Sequence, residues 1–285
     1  MIGMNNLGQK GRLGNQLFQY AALVGIAKNR GFDFCIPDHS AATWFDKNVN
    51  GNIVTVYHQL QHLFEMNHLN GRFGIIEDGN QIDVHQAEFC KELFDECPDN
   101  SSLLGHFESY HYFENAEEEI RQDFVVREHL LEAAEKFHKK KGSDAPVCVS
   151  VRRGDYVKFQ DHHPPCVESY YRECMEKLGT DRQYVITSDD VEWCKTIFTG
   201  DNFVFNDVIP EGVYKPHFDF AVGTLCDDFI IANSTFSWWI AWLGKKKDKQ
   251  IFIPRPWFGP ALAHVDTEGY YCPSMTIVDR EIVRV

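Results

Sequence analysis

Short apolar runs alternate with amphipathic stretches along the C-terminal half of the chain. The apolar runs predict strands, and the stretches between them carry apolar residues three and four positions apart, which predicts helices. The predicted strands are Val147–Val151, Tyr184–Thr187, Phe203–Phe205, Phe229–Ala232 and Ile251–Ile253. The predicted helices are Val167–Leu178, Val191–Phe198, His217–Cys226 and Ser237–Leu243. Because strands and helices alternate, we expect an α/β fold with a doubly wound parallel sheet in this half.

The N-terminal half has a less regular pattern. A glycine-punctuated loop at residues 11–16 precedes a helical pattern that runs to Arg30, and residues 32–36 predict a strand. Residues 103–110 predict a strand that turns into a loop. Most of the stretch from about residue 40 to 105 predicts no clear order of elements. Residues 114–141 predict one long charged helix, and residues 142–146 predict a linker. We therefore expect two domains, residues 1–144 and 145–285.

Composition narrows the classes of partner. The chain has 285 residues, of which 44% are hydrophobic, and a formal net charge of -14. The negative charge argues against nucleic acid or an anionic membrane surface as the main partner. An anionic ligand would therefore need a local cluster of cations.

Several signals favour a soluble cytoplasmic protein. No apolar run approaches the roughly 18 residues of a transmembrane helix, and the first residues lack the apolar core of a signal peptide. Nine cysteines without regular spacing favour a reducing compartment over a disulfide framework. The run His162-His163-Pro164-Pro165-Cys166 fits no usual zinc spacing, so we expect no metal there.

The strongest candidate site follows the strand Val147–Val151. Arg152 and Arg153 stand directly after it, and Gly154 and Asp155 follow. Ligands of open α/β sheets bind at the carboxyl ends of strands, and guanidinium forks match phosphate oxygens. The four residues are therefore either a diphosphate site or a surface turn with a solvated Arg–Asp pair.

Two further turns follow predicted strands. Ser188, Asp189 and Asp190 precede a helix, where Ser188 or Asp189 could cap it. Alternatively, Asp189 or Asp190 could accept hydrogen bonds from a ribose or a purine.

The second of these turns is rich in hydroxyl groups. It comprises Asn233, Ser234, Thr235 and Ser237, at a helix start that can bind phosphate. We expect the tryptophans of the helix that follows, residues 238–242, to pack in the core rather than stack on a base.

Five motifs together resemble the inverting α-1,2-fucosyltransferases of glycosyltransferase family 11. They are GRLGNQLFQYA (11–21), GHFESYHYFENAEEEIRQDF (105–124), SVRRGDYV (150–157), YVITSDDVEWCK (184–195) and IIANSTFSWWIAWL (230–243). The resemblance implies a GT-B type fold with two Rossmann-like domains. The N-terminal domain would lie on the acceptor side, and the parallel sheet of the C-terminal domain would bind GDP-fucose.

The resemblance also implies roles for individual residues. Arg152 would contact the β-phosphate, and Arg153 would organise the loop or neighbour the phosphate. Asn15, Gln16 and Glu108 would line the cleft between the domains on the fucose or acceptor side. The residues implied in guanosine and pyrophosphate binding are Ser188, Asp189, Asp190, Asn233, Ser234, Thr235 and Ser237.

The sequence departs from the family pattern at residue 150, at residues 106–108 and in the opening strand before the glycine loop, which is unusually polar. Ser150 stands where the family has histidine, so a hydroxyl group replaces an imidazole beside the donor. Residues 106–108 are His-Phe-Glu where the family more often has Tyr-Phe-Gln. The second departure alters the expected acceptor wall.

The implied reaction is direct displacement at the anomeric carbon of fucose by a glycan hydroxyl, most simply O2 of a terminal β-galactoside. The chain contains no Asp-x-Asp pair for a divalent ion. We therefore expect a metal-independent enzyme without a cofactor, in which Arg152 and a helix N-terminus stabilise the departing GDP. Its partners would be the nucleotide-sugar donor and an oligosaccharide acceptor.

Two questions stay open at this stage. Asp155 is a candidate general base, or it only orients an arginine through an ion pair, and Glu108 is a second candidate base. The alternative functions are a GT-B enzyme with another GDP-sugar or acceptor, and a glycan-binding protein without turnover.

Overall fold

The computed structural model describes residues 1–42, 46–49, 52–55, 57–84, 88–142 and 145–285, with the backbone alone for 46–49 and 52–55. These residues form two compact units. The first unit comprises Met1–Arg127 and a short return segment, Val265–Tyr270. The second unit comprises Glu128–His264 and Tyr271–Val285.

The first unit is built on a four-stranded parallel sheet. The unit contains six strands among the described residues: β1 (Ile2–Gly3), β2 (Phe34–Cys35), β3 (Asp46–Val49), β4 (Asn52–Thr55), β5 (Asn80–Val84) and β6 (Ser101–Gly105). The sheet has the order β2-β1-β6-β5, and β3 and β4 form a separate antiparallel pair. The helices are α1 (Leu13–Arg30), α2 (Leu60–Leu63), α3 (Lys91–Glu96) and α4 (Glu117–Asp123). The predicted helix after the glycine loop is confirmed as α1, and it ends at Gly31 as expected.

The second unit contains the predicted doubly wound sheet. Its strands are β7 (Val147–Val151), β8 (Tyr184–Ser188), β9 (Phe203–Phe205), β10 (Asp228–Ile231), β11 (Ile251–Arg255) and β12 (Thr276–Asp279). The helices are α5 (Glu128–Lys141), α6 (Glu168–Leu178), α7 (Val191–Ile197), α8 (Lys215–Thr224) and α9 (Thr235–Leu243). All neighbouring strands are parallel, in the order β12-β11-β10-β7-β8-β9. Five of these strands were predicted, whereas β12, which buries only Val278, was not.

The predicted single helix over residues 114–141 is wrong. The chain forms a 3₁₀ turn at Glu114–Ala116, then α4, and α5 begins only at Glu128. Between the helices the backbone is extended, because it bonds to a neighbouring segment: the N–H of Glu65 donates to the carbonyl of Val125, and the N–H of Arg127 donates to that of Leu63. Tertiary pairing therefore overrides the helical pattern at this point.

The structure divides the chain one helix earlier than the expected boundary at residues 144 and 145. Helix α5 belongs to the second unit because it packs on α8. The ring of Phe137 meets that of Phe218 edge-on at 6.2 Å, and His138 Nε2 lies 2.9 Å from the carbonyl oxygen of Val222. Ser143 and Asp144, in the predicted linker, lie outside the described residues.

The tryptophans of α9 pack in the core of the second unit, as predicted. Trp238 and Trp239 are completely buried, and Trp238 stacks on Trp242 with ring centroids 6.1 Å apart. Among the described residues, no helix has the apolar length needed to cross a membrane.

The order of strands creates one topological switch point in each sheet. In the second unit the chain leaves β7 towards β8 and β9, and later adds β10 to β12 on the other side of β7. In the first unit it leaves β1 towards β2, and later adds β5 and β6 on the other side of β1. The crevices at the carboxyl ends of β7/β10 and of β1/β6 are therefore the places where such folds bind ligands.

Candidate functional site

The first cluster lies where β7 ends. Nη1 of Arg152 donates a hydrogen bond to Oδ2 of Asp189 at 2.6 Å, and Nη2 donates to Oδ1 of Asp155. The guanidinium lies 5.2 Å from the ring centroid of Tyr156. Burial disfavours the charged guanidinium, but the surrounding acidic groups, Asp189 foremost, outweigh burial and raise the pKa of Arg152. This arginine therefore stays charged and is held in one orientation.

Arg153 folds back onto helix α7. Its guanidinium lies 3.9 Å from the ring centroid of Trp193, and its Nε donates to Oδ2 of Asp190 at 3.2 Å. Its backbone N–H donates to Oδ1 of Asp189 at 2.8 Å. Of the two roles implied for Arg153, these contacts match the organisation of the loop.

Gly154 allows Asp189 to approach the turn. A Cβ atom at this position would lie under 3.0 Å from the Asp189 carboxylate, a distance that real Cβ contacts essentially never show. The glycine therefore permits one carboxylate to bind both Arg152 and the backbone of Arg153.

The Ser-Asp-Asp turn caps α7, but not through the residues expected. Oδ1 of Asp190 accepts from the N–H of Trp193 at 3.2 Å, so Asp190 is the N-cap rather than Ser188 or Asp189. Ser188 supports it by accepting from the N–H of Asp190 at 2.9 Å. Asp189, which directly follows β8, is thereby left to the arginines at the end of the neighbouring strand β7.

Asn233, on the other side of the switch point, has its side chain turned inward. The buried amide donates to the carbonyl oxygens of Pro164 at 3.2 Å and Trp257 at 2.8 Å. Its backbone carbonyl accepts from the hydroxyl of Tyr156 at 3.1 Å. The expected contact of this amide with the donor is therefore replaced by a contact that joins loops.

The hydroxyl groups of this turn divide into two sets. Ser237 is buried, and its Oγ lies 2.8 Å from Oγ of Ser150, the residue that stands in place of the family histidine. That pair joins β7 to the first turn of α9. Ser234 occupies the N-cap position of α9 without a side-chain capping bond, and Thr235 is partly exposed beside it.

A buried carboxyl lies behind the Ser-Asp-Asp turn, and no motif pointed to it. Asp219 accepts from Asn206 at 2.7 Å and from Lys215, whose ammonium also donates to the carbonyl of Ser188 at 2.9 Å. Burial raises the pKa of Asp219 to about 6, although Lys215 opposes the shift. One signal was present in the sequence: Asn206 directly follows β9, at the same sheet edge as Ser188.

The second cluster lies at the switch point of the first unit. Oε1 of Glu108 accepts from the amide of Asn15 at 2.5 Å, and Oε2 accepts from the hydroxyl of Tyr270 in the return segment. Nδ1 of His106 lies 3.6 Å from Oε1 of Glu108 and 3.3 Å from Nδ2 of Asn15. Burial raises the pKa of Glu108, against the opposing influence of His106, Tyr270 and Asn15.

Gln16 does not join this cluster. Its side chain is fully buried, and its Oε1 accepts from the N–H of Gln59 at 2.7 Å. The expectation that it faces a sugar is therefore corrected: the amide fastens α1 to the segment before α2. Tyr270, by contrast, was missed, because nothing in its sequence neighbourhood links it to Glu108.

Among the residues that the structure describes, no group of three or more His, Cys, Asp or Glu side chains is arranged to hold a metal ion. Whether the reaction is independent of metal stays a prediction.

An α/β chain with parallel sheets and arginines at a switch point belongs to the class of open-sheet proteins that can bind an anionic ligand at the carboxyl ends of their strands. Comparison with known proteins specifies the family. The model of Glycosyl transferase family 11 matches residues 1–257. The chain therefore belongs to glycosyltransferase family 11.

The names of individual relatives also describe enzymes that transfer sugars. The bovine galactoside 2-alpha-L-fucosyltransferase SEC1 is 27% identical over 85% of this chain, which spans 64% of that relative's length. The O-antigen biosynthesis glycosyltransferase WbnK of Escherichia coli is 25% identical over 87% of this chain and 93% of its own. An alpha-1,2-colitosyltransferase of the same organism is 31% identical over 60% of this chain and 61% of its own.

Solved fucosyltransferases share the fold. POFUT1 in complex with GDP-fucose has a TM-score of 0.56 at 13% identity, covering 88% of this chain and 97% of its own. NodZ alpha-1,6-fucosyltransferase, co-crystallised with GDP, has a TM-score of 0.51 at 13% identity, covering 83% of this chain and 90% of its own. The predicted GT-B type fold is thereby confirmed.

Proposed function

We propose that the protein transfers L-fucose from GDP-fucose to a glycan hydroxyl, O2 of a terminal β-galactoside, with inversion and without a metal ion. The names of the mammalian relatives support the sugar and the linkage. The presence of GDP-fucose in one structure of similar fold, and of GDP in another, supports the donor. We also propose a cytoplasmic location, because nine cysteines, all free thiols, suit a reducing compartment.

The position of Arg152 carries the proposal. It follows β7 at the switch point, where ligands of such sheets bind, and the N-terminus of α9 follows the neighbouring strand β10. A diphosphate there would meet the guanidinium fork and the positive end of the helix dipole. The hydroxyls of Ser234 and Thr235 are the side chains we expect to contact it.

A diphosphate at the guanidinium of Arg152 would compete with the two carboxylates that accept from Nη1 and Nη2. The Asp155 side chain is 42% exposed and that of Asp189 is 27% exposed. Asp189 also accepts from the backbone of Arg153. We therefore propose that Asp155 gives way and Asp189 stays, so that Asp155 orients Arg152 in the free enzyme. In this arrangement Ser188, Asp190, Asn233 and Ser237 shape the site from behind.

Chemistry follows from the charge at this position. The acceptor oxygen forms a bond to the anomeric carbon while the bond to the β-phosphate oxygen breaks, and GDP leaves with the bonding electrons. Negative charge therefore grows on the β-phosphate as fucose becomes oxocarbenium-like. A fixed, charged Arg152 stabilises that charge more in the transition state than in the bound donor. On the acceptor side, the proposed contacts are Asn15 and the residues around Glu108.

The decisive variant is Arg152→Ala, compared with Arg255→Ala. Arg255 is an arginine of the same unit, ion-paired on the surface to Asp279. We expect Arg152→Ala to abolish transfer and weaken GDP binding with a nearly unchanged melting temperature, whereas Arg255→Ala transfers like wild type. Radiolabelled GDP-fucose with a panel of β-galactosides measures transfer, and NMR of the product gives the linkage. Normal turnover of Arg152→Ala would refute the assignment.

Metal independence needs its own test. Activity that survives EDTA supports the proposal, because Arg152 then suffices as the cation at the diphosphate. Activity that EDTA removes and Mn²⁺ restores contradicts it.

A second candidate is the same reaction with another sugar. The relative named alpha-1,2-colitosyltransferase favours it, because that name keeps the linkage and changes the sugar. Competition assays separate the two: an unlabelled GDP-sugar such as GDP-mannose that is itself consumed in preference to GDP-fucose would identify the donor as another sugar.

A further inference from the structure

The His106–Glu108 pair lies at a ligand-binding position in its own sheet. Both residues directly follow β6, and Asn15 is in the first turn of α1, which follows β1. Strands β1 and β6 flank the switch point of the first unit. The pair therefore stands where the first unit is expected to receive a ligand, which under the proposed function is the acceptor.

Glu108 itself is poorly placed to receive a proton from an acceptor. Its side chain is only 10% exposed, and both carboxyl oxygens already accept hydrogen bonds, from Asn15 and Tyr270. His106 is the accessible member of the pair, with 44% of its side chain exposed. Of the pair, the imidazole is thus the more accessible to a hydroxyl group that arrives from solvent.

We propose that His106 accepts the proton of the acceptor hydroxyl and that Glu108 positions and stabilises its ring. Nδ1 of His106 lies 3.3 Å from the Asn15 amide nitrogen, a donor whose shorter bond, at 2.5 Å, goes to Oε1 of Glu108. In the tautomer with a proton on Nδ1, which faces the Glu108 carboxylate at 3.6 Å, the ring offers an unprotonated Nε2 to the acceptor. As the hydroxyl oxygen bonds to the anomeric carbon and GDP leaves with its electron pair, the hydroxyl proton moves to Nε2. The resulting imidazolium is stabilised by the nearby carboxylate.

Three elements surround the Glu108 carboxyl and contribute the groups that act on it. His106 comes from the end of β6, Tyr270 from the return segment, and the neutral amide of Asn15 from α1. Burial raises the pKa of the Glu108 carboxyl, whereas His106 and the donors Tyr270 and Asn15 oppose that shift and favour the ionised form. An ionised Glu108 is the form that a positioning role for this residue requires.

Close packing keeps the return segment in contact with this site. A Cβ at Gly269 would lie under 3.0 Å from the side chain of Ser109, so only glycine lets the segment approach the residue after Glu108. Tyr270 is thereby held with its hydroxyl on the carboxyl. The carboxyl therefore has a fixed position beside the imidazole before any acceptor binds.

The test uses the full chain with His106→Gln and Glu108→Gln, and His111→Gln as the control. His111 is a partly exposed histidine of the same unit, also paired with a glutamate, Glu114. The measurements are kcat and KM for transfer across the pH range from acid to mildly alkaline, and the Kd of GDP-fucose.

We expect His106→Gln to lower kcat by about 100-fold or more, a typical contribution of a general base, and to lose the fall of kcat at acid pH. Its Kd for GDP-fucose should stay within about twofold of wild type, because His106 is proposed to contact the acceptor and not the donor. Glu108→Gln should lower kcat less and move the acid limb to lower pH, because the negative charge that favours the imidazolium is gone. A merely structural role of Glu108 would not move that limb. His111→Gln should match wild type.

The inference rests on the proposed function, and the outcomes separate the two. If wild type transfers fucose and His106→Gln does so equally well, with the same acid limb, the inference is wrong and the proposed function stands. If wild type transfers no fucose to any β-galactoside, the proposed function is wrong, and the role of His106 as proton acceptor in it falls too.

Discussion

The clusters at the two switch points occupy equivalent positions in their sheets and are chemically opposite. At the end of β7, two arginines meet three carboxylates in a partly exposed network. At the end of β6, a single buried carboxyl is held by a neutral amide and a phenol, with one imidazole at its edge. The first arrangement can exchange one anion for another, whereas the second can exchange a proton.

The difference suggests a division of work between the two units. An ion-pair network suits a ligand whose charge stays fixed through the reaction, such as a diphosphate, and its strength depends on salt. A buried carboxyl suits a step in which a proton moves, and its influence depends on pH. The comparison would be wrong if variants at the end of β7 changed mainly the pH dependence of the reaction, and variants at the end of β6 changed mainly its salt dependence.

After loss of Arg152 itself, the largest effect at the end of β7 is expected from Gly154→Ala. The added Cβ would press on the Asp189 carboxylate, which must then leave Arg152, the backbone of Arg153, or both. Because a displacement of about 1 Å can cost 100-fold in rate, we expect turnover to fall by about that factor. Transfer assays measure the fall.

Gly74→Ala is the matched control for that variant. Its Cβ would meet Cys35 only at ordinary contact distance, 3.9 Å. Equal loss of turnover in both variants would mean that the approach of Asp189 to Gly154 has no special importance.

The next prediction concerns stability, at Asp219, the buried carboxyl behind the Ser-Asp-Asp turn. The pKa of Asp219 is raised to about 6 from an ordinary 3.8, so the folded protein holds this proton more tightly than the unfolded chain. Its contribution to stability is therefore complete below pH 3.8 and is lost as the pH rises through about 6. A shift of this size corresponds to about 3 kcal/mol. Asp219→Asn should lack this loss.

Urea unfolding below pH 3.8 and above pH 6 measures the difference in the free energy of unfolding. A cost of the substitution that does not depend on pH is the same in both measurements, so only the change with pH is informative. Asp161→Asn, at an exposed residue paired to Arg284, serves as the control. A pH dependence of Asp219→Asn equal to that of wild type would contradict the raised pKa.

The two clusters also differ in how far the sequence reveals them. Arg152, Ser188 and Asn233 each end a strand of a regular βα pattern, so the sequence predicts that they share an edge. What it cannot predict is which way a side chain turns. Asn233 points inward because two carbonyl groups of distant loops need its amide.

The Glu108 cluster is harder to predict because its hydrogen bonds join residues that are far apart in the sequence. Asn15 and Tyr270 reach Glu108 from positions 93 and 162 residues away. Residues 40–105 offered no order of elements, so β5 and the neighbourhood of β6 in the sheet could not be inferred. The split of the expected helix over 114–141 has the same origin, since distant backbone partners at Leu63 and Glu65 determine it.

Glu108→Gln should change stability in the same direction as Asp219→Asn. Burial raises the pKa of Glu108, so its contribution to stability is present at low pH and is lost as the pH rises through the raised value. His106, Tyr270 and Asn15 oppose the shift, so we expect the change with pH to be smaller than burial alone would cause. Gln can keep both contacts, and melting temperatures across pH report the difference. A gap between variant and wild type that stays constant across pH would contradict it.

The smallest effect, and the one that separates the two roles of Asp155, is expected from Asp155→Asn. If Asp155 only holds Arg152 until the diphosphate arrives, the neutral amide competes less, and GDP should bind a few-fold more tightly, in line with the 0–1 kcal/mol of an exposed ion pair. Transfer then continues at a rate close to that of wild type. If Asp155 is the general base, kcat falls by about 100-fold or more instead.

Salt and a charge-matched control make the Asp155 result specific. Asp161→Asn changes the net charge of the chain by the same amount at an exposed position of the same unit. Tighter binding of GDP in Asp155→Asn alone, which shrinks as ionic strength rises, would identify a carboxylate that yields to phosphate. Equal tightening of GDP binding in both variants would show that only the net charge of the chain matters. The network at the end of β7 would then contain no carboxylate that exchanges with phosphate, and in this respect it would resemble the Glu108 cluster.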